Sequence, residues 1–167
     1  VLNQITKYLY LVVWFIFCKF VFMWYIKDTN MEINSLGNCP DGAVGFIYLI
    51  TDSSGKIYIG KKQLFSSRKT KITQKEKLET NNNRKKFKTV VKESDWLLYN
   101  SSCKELQDEI KKAPQNFKKE IIEFCFDKRE LTFYEVYYQI KYDVLFKDSF
   151  NKNILSRFFV GIRQPKF

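Results

Sequence analysis

Residues 44–60 read VGFIYLITDSSGKIYIG, and this stretch decides the fold class. An apolar run over residues 44–51 meets the turn cluster Asp52-Ser53-Ser54-Gly55, after which residues 56–60 alternate. Two short runs around a glycine-containing loop predict a β-hairpin. Tyr48 and Tyr58 stand on its two arms, where side chains of neighbouring strands meet across one face. Alone, the pair carries no chemistry, because tyrosine is a good strand former.

Downstream, Ser102 and Glu105 have capping-box spacing ahead of a helix with Leu106 and Ile110 on its buried face and Pro114 at its end. Residues 117–126 place Ile121, Ile122, Phe124 and Phe126 among charges, which predicts a third strand. Asp127, with Glu130 at the box position, predicts a helix over 128–145 with Leu131, Tyr134, Tyr138, Tyr142 and Leu145 along one stripe. The order is β-β-α-β-α: an α+β domain with a small three-stranded antiparallel sheet flanked by helices. On this reading the domain spans 44–160, after a linker at 31–43 and before a tail at 161–167.

The net charge of +11 is concentrated. Between Lys61 and Lys92, twelve Lys or Arg residues stand against two acids, Glu76 and Glu79. So one-sided a field attracts polyanions, nucleic acid above all. The structural alternative is a solvated lysine-rich loop around Asn81-Asn82-Asn83.

The half-motifs Ile47-Tyr48 and Tyr58-Ile59-Gly60 resemble the GIY-YIG nuclease family, in which two such tripeptides sit on adjacent strands. Phe46 stands where the family has glycine, although Gly45 precedes it. The rest of the pattern follows in order: Lys61 after Gly60, Arg68 ten residues past Tyr58, Glu135 in the last helix, and Asn151 behind an aromatic residue. The run YIGKK, the segment Asp95-Trp96 through Tyr99-Asn100-Ser101-Ser102, and the ending Phe150-Asn151-Lys152-Asn153-Ile154 resemble a phage-associated branch. The resemblance covers about 115 of the 167 residues. It implies a metal-dependent DNA endonuclease. Tyr48 would be the general base, Tyr58 would orient water or phosphate, and Arg68 and Lys61 would bind the phosphate. Glu135 would hold Mg²⁺ or Mn²⁺, with Asn151 supporting it. Arg84 competes with Arg68 for the arginine role. Many relatives carry a histidine beyond the arginine; this chain has none, so a lysine, a tyrosine or solvent must serve.

Residue chemistry points the same way. Phosphodiester hydrolysis needs a base for water and positive charge for the transition state. Glu135 is the only formal charge between Leu131 and Ile140, and a carboxylate among apolar neighbours is costly unless a cation pairs with it. Mg²⁺, which keeps several waters and accepts a carboxylate plus a phosphate oxygen, would serve. The bland alternatives are a lysine partner or a capping box with Thr132. Arg68 offers a planar donor fork to a phosphate. A phenol titrates near about 10, so Tyr48 would need Lys61, Arg68 or metal-bound water to lower that value. Lys62, Lys69, Lys71, Arg84, Lys85, Lys86 and Lys88 would track the backbone of duplex DNA.

Cys18, Cys39, Cys103 and Cys125 are scattered and histidine is absent, which excludes a Cys/His zinc site and implies reduced thiols of a cytoplasmic protein, host cytoplasm for a phage-encoded one. Residues 8–26, YLYLVVWFIFCKFVFMWYI, are apolar except for Lys19 and long enough for a membrane-spanning helix. Three readings stay open for residues 1–30: a membrane anchor, a packed apolar helix, or an extension upstream of a start at Met31. Rivals to the nuclease are a non-catalytic nucleic-acid-binding module on the same fold and a basic domain attached to anionic membrane.

Overall fold

A computed structural model describes residues 23–80, 86–155 and 157–161, the side chains of 78–80 apart. The hairpin forms as the sequence predicts. β3 (Gly45–Asp52) and β4 (Ile57–Gln63) pair antiparallel, with Tyr48 opposite Gly60 and Ile50 opposite Tyr58. The Asp52 carboxylate accepts from the backbone N–H groups of Ser54 and Lys56, both at 2.8 Å, which closes the turn. Gly55 takes the left-handed conformation there, with φ of 89°.

The sheet has five strands rather than the expected three, in the order β2 (Glu32–Ile33), β1 (Trp24–Ile26), β7 (Phe117–Cys125), β3 and β4. β7 lies antiparallel to β3, the predicted third strand. Beyond it come β1, parallel to β7, and β2, antiparallel to β1. An apolar helix before the domain is therefore not what the described residues show. The end of the apolar stretch is a strand, and Glu32–Ile33, in the expected linker, is another. Length and apolarity alone do not separate a buried helix from a strand, and Trp-Tyr-Ile fits a pleated surface well. The rest of that stretch lies outside the described residues. Among the described residues, no helix is long and apolar enough to cross a membrane.

Each sheet face buries its own core, as the period of two requires. Phe46, Tyr48, Ile50, Tyr58 and Ile121 share a cluster with Trp24, Trp96, Phe150, and Leu106 and Ile110 of α2 (Lys104–Lys112). Ile47, Leu49 and Ile59 meet Leu131 of α3 (Lys128–Lys141), together with Val144 and Leu145.

The Asp127–Glu130 capping box forms at the start of α3. That helix ends at Lys141, earlier than predicted, because Asp143 adopts φ of 55°. The Ser102–Glu105 box does not form. Cys103 is the N-cap and makes no side-chain cap bond. Long-range partners win: the Ser102 hydroxyl bonds Tyr58, and Glu105 pairs with Lys56 and Lys152.

The basic stretch is more ordered than a loop. β5 (Phe65–Lys71) and β6 (Phe87–Glu93) form a two-stranded ribbon, with α1 (Gln74–Thr80) between them in sequence. Asn81-Asn82-Asn83 lie outside the described residues. A short pair, β8 (Asn153–Ile154) and β9 (Phe158–Phe159), follows the second core.

One buried group sets a pH dependence. Lys119 of β7 is 2% exposed, with Nζ 4.2 Å from the Trp24 ring centre and 3.4 Å from the Asn100 side-chain oxygen. The ring favours the ammonium, but burial dominates and lowers the Lys119 pKa to about 7. An unfolded lysine titrates near ~10.4, so between these values the unfolded chain binds the extra proton and stability rises with pH. Lys119→Met removes this penalty. Its stability advantage over wild type in urea unfolding is expected to be largest near pH 7 and to shrink steadily toward pH ~9.5. A constant difference over that range would show that Lys119 stays charged in the fold.

Candidate active site

β4 is an edge strand of the main sheet, and the cavity of interest wraps around its free edge. About 380 Å³ in volume, it is lined by Tyr58 of β4, Ser102 and Cys103 at the start of α2, Glu135 and Gln139 of α3, and Asn151 and Lys152. Tyr58 arrives from one face of the sheet and Glu135 from the helix on the other. Glu135 and Gln139 are four apart, so they share one helix face.

Tyr48 lies opposite Gly60 and Tyr58 two residues before it, so both rings point to the same face, with centroids 6.0 Å apart. Gly60 is required by the pair itself. A Cβ there would stand 2.6 Å from the Tyr48 hydroxyl and 2.9 Å from a Tyr58 ring carbon. Both rings are packed, so no side chain fits.

The two hydroxyls sit in different surroundings. Tyr48 is 1% exposed and packs edge-on against the Tyr99 ring, with centroids 6.1 Å apart. Burial, reinforced by Tyr58 and Tyr99, pushes its pKa well above the usual phenol value. Tyr58 is 8% exposed, faces the cavity, and lies 3.0 Å from the Ser102 hydroxyl. Burial raises its pKa too, although the Ser102 bond opposes the shift. The protein alone raises both phenols, so Tyr48 as general base would depend on a neighbouring cation or metal-bound water to lower it.

Among the described residues, Glu135 is the one carboxylate lining the cavity. Its side chain is 19% exposed and pairs with Lys61 at 3.1 Å, which is the lysine partner the sequence left open. Lys61 also donates to the Thr132 hydroxyl at 3.0 Å. Thr132 sits inside α3 and bonds back to the Lys128 carbonyl, so it does not cap the helix with Glu135.

Asn151 is not aimed at the glutamate. Its side-chain oxygen accepts from the Ile59 N–H at 2.9 Å and its amide donates to the Ile59 carbonyl at 2.8 Å. Gln139 donates to the same carbonyl at 3.2 Å, and the Phe150 N–H donates to the Ile57 carbonyl at 2.8 Å. The segment around Asn151 thus serves as a strand along the bare edge of β4. It fixes the strand that carries Tyr58 and satisfies backbone groups that would otherwise be buried without partners.

Arg68 does not join the cavity; it lies exposed on β5, opposite Val90. Lys62 pairs with Asp95 at 2.5 Å and stands 3.7 Å from the centre of the Tyr99 ring. Lys69, Lys71 and Lys88 lie on the ribbon and Lys86 is exposed just before it. Arg84 and Lys85 lie outside the described residues.

Sequence reasoning gave no site role to Ser102, Tyr99, Gln139 or Lys152. A signal existed for some of them. Tyr99 and Ser102 belong to the segment that resembles the phage-associated branch, and Gln139 follows Glu135 at helical spacing.

Could these residues hold a divalent cation? Among the described residues, no three His, Cys, Asp or Glu side chains converge. A hard ion that keeps most of its waters and takes a phosphate oxygen needs only one or two carboxylates. Glu135, which lines the same cavity as Tyr58 and Ser102, fits that requirement.

Tyrosines meeting over a glycine on a hairpin, with a helix-borne glutamate at the edge of the same strand, define a nuclease domain of the GIY-YIG class. The chain belongs to that family: the family described as "Putative endonuclease segE, GIY-YIG domain" matches residues 24–155. The match begins at Trp24, the first residue of β1, and ends just past β8. No curated protein and no solved structure matches the chain significantly.

Proposed function

We propose that this domain hydrolyses phosphodiester bonds of duplex DNA with Mg²⁺ or Mn²⁺ held by Glu135. The observation that carries this reading is the convergence of the Glu135 carboxylate and the Tyr58 hydroxyl on one cavity at the edge of β4. A bound divalent cation would neutralise charge developing on the phosphoryl oxygens. Lys61 and Lys152 add positive charge at the cavity. Tyr58 is the hydroxyl that orients water or phosphate at the cavity wall, held there by its hydrogen bond with Ser102. Tyr48 and Tyr99 position it from below.

One observation favours a non-catalytic DNA-binding domain: Glu135 already has a cationic partner in Lys61. Supercoiled plasmid incubated with the full chain separates the two readings. Nicked product is expected with Mg²⁺ or Mn²⁺ and none with EDTA, and Tyr58→Phe is expected to slow nicking by ~10²-fold. Retarded but uncut plasmid under every metal condition would establish the non-catalytic reading instead.

A further inference from the structure

We propose that the β8–β9 hairpin is a stacking platform at the mouth of the Glu135 cavity. On it, Leu155 and Phe159 receive a nucleobase unstacked from the duplex beside the phosphate in that cavity. The proposal rests on the hydrolytic reading for the choice of DNA and for the place of the phosphate.

Asn153 pairs with Phe159 and Ile154 with Phe158, and the Val160 N–H donates to the Lys152 carbonyl at 3.2 Å. Directly opposite residues share a face, and successive residues alternate between faces. Ile154 is buried in the core that contains Leu131 of α3, so Asn153 and Phe159 turn the other way. Asn153 lines the cavity, as does Leu155 two residues on. Phe159 therefore stands on the cavity side of the hairpin. Leu155 and Phe159 are each 51% exposed, and Phe158 and Val160 are exposed as well. Four large apolar side chains within six residues thus face solvent beside the site.

The turn adds a second observation. The Arg157 N–H donates to the Ile154 carbonyl at 3.1 Å, and Leu155 adopts φ of 53°. That left-handed conformation presses Cβ against the following carbonyl, so such turns ordinarily take Gly, Asn or Asp. Packing does not hold the leucine there, because half of its surface is bare. A strained, exposed apolar residue bordering a polar cavity has the marks of a contact surface. The charge suits a polyanion: residues 152–161 carry Lys152 and Arg157 and no acid.

A nucleotide has the same division of chemistry. Its phosphate needs cations and polar donors, and its base offers a flat face to an aromatic ring. Cavity and hairpin present the two surfaces side by side. Within an intact duplex each base face is covered by its neighbours, so Phe159 meets one only where the stack opens. Phe and Leu wedges open base steps in this way, and the opening costs least at a mismatch. An anionic lipid surface would suit the apolar residues and the two cations, but not the carboxylate-lined cavity that they border.

The test measures binding by the full chain in EDTA to labelled duplexes of one length, fully paired or with a single central mismatch. The mismatched duplex is expected to bind at least ~5-fold tighter. Leu155→Asn combined with Phe159→Ser should reduce that preference to less than ~2-fold. Phe133→Ser, which removes an exposed ring of α3 outside the cavity lining, should leave it unchanged. Equal binding of the two duplexes by wild type, a preference that survives in the double variant, or an equal loss from Phe133→Ser would overturn the proposal. So would co-sedimentation of wild type, but not of the double variant, with phosphatidylserine vesicles, which would make the patch a lipid contact. Melting curves check the fold. Should the double variant melt early, Leu155→Asn alone decides, because asparagine takes the left-handed conformation more readily. A preference cut at least ~2-fold supports the proposal, and an unchanged one overturns it. A chain that nicks plasmid yet shows no mismatch preference sinks the platform alone; one that shows the preference and never nicks sinks the hydrolytic reading alone.

Discussion

Glu135→Gln is expected to abolish metal-dependent nicking, lowering the rate by at least ~10³-fold while leaving the fold intact. Glutamine keeps the volume and a hydrogen-bonding oxygen but loses the charge that holds a divalent cation. The side chain is partly exposed and its ion pair with Lys61 is solvent-screened. Losing such a pair changes stability by no more than about 1 kcal/mol, so the melting temperature should move little. The competing account is that Glu135 serves only to hold Lys61. Lys61→Ala separates the two. A metal ligand loses activity far more severely through Glu135→Gln than through Lys61→Ala, whereas a purely structural pair loses equally from either side. Plasmid nicking at saturating Mg²⁺, with melting curves of each variant, makes the measurement. Wild-type nicking by Glu135→Gln would remove the carboxylate from the mechanism.

The second large effect lies far from the cavity. Trp24→Ala is expected to destabilise the domain by ~3–5 kcal/mol, a large share of the ~5–15 kcal/mol that keeps a domain folded. The indole is fully buried. Its ring packs edge-on to Phe46 at 5.1 Å and Tyr48 at 5.2 Å, and its N–H donates to the Trp96 carbonyl at 2.9 Å. Removing it opens a cavity beneath the Tyr48 ring and leaves the Trp96 carbonyl without its partner. Trp24→Phe retains part of the ring and should cost less. A chain started at Met31 lacks β1 altogether and bares the outer edge of β7. It is expected to unfold at markedly lower urea concentration than the full chain, and equal midpoints would show that β1 contributes nothing to the core.

The features legible in advance share one property: they are local. The turn after Asp52, the capping box at Asp127 and the strand between Phe117 and Cys125 each follow from residues within a few positions of one another. The Ser102–Glu105 box was equally plausible locally and failed, because both side chains found partners more than forty residues away. The basic stretch read as a loop because its strands carry few apolar residues, and a ribbon with no buried face leaves a weak period-two signal.

For the site, sequence order placed Tyr58, Glu135 and Asn151 on one cavity, but it could not assign their work. Asn151 fastens the edge of β4, and Arg68 stands out on the ribbon. The ionisation of Tyr48 is likewise a property of its surroundings, since burial under Trp24 and Tyr99 raises its pKa.

By itself the sequence determined the hairpin, the helix that bears Glu135 and the family, because short-range periodicity, turn chemistry and motif order are written in neighbouring residues. Only the tertiary structure decided that Trp24 belongs to the core, that Asn151 is a clamp and that Tyr48 is buried. Those facts depend on which distant groups exclude water from one another, and no stretch of chain read alone contains that information.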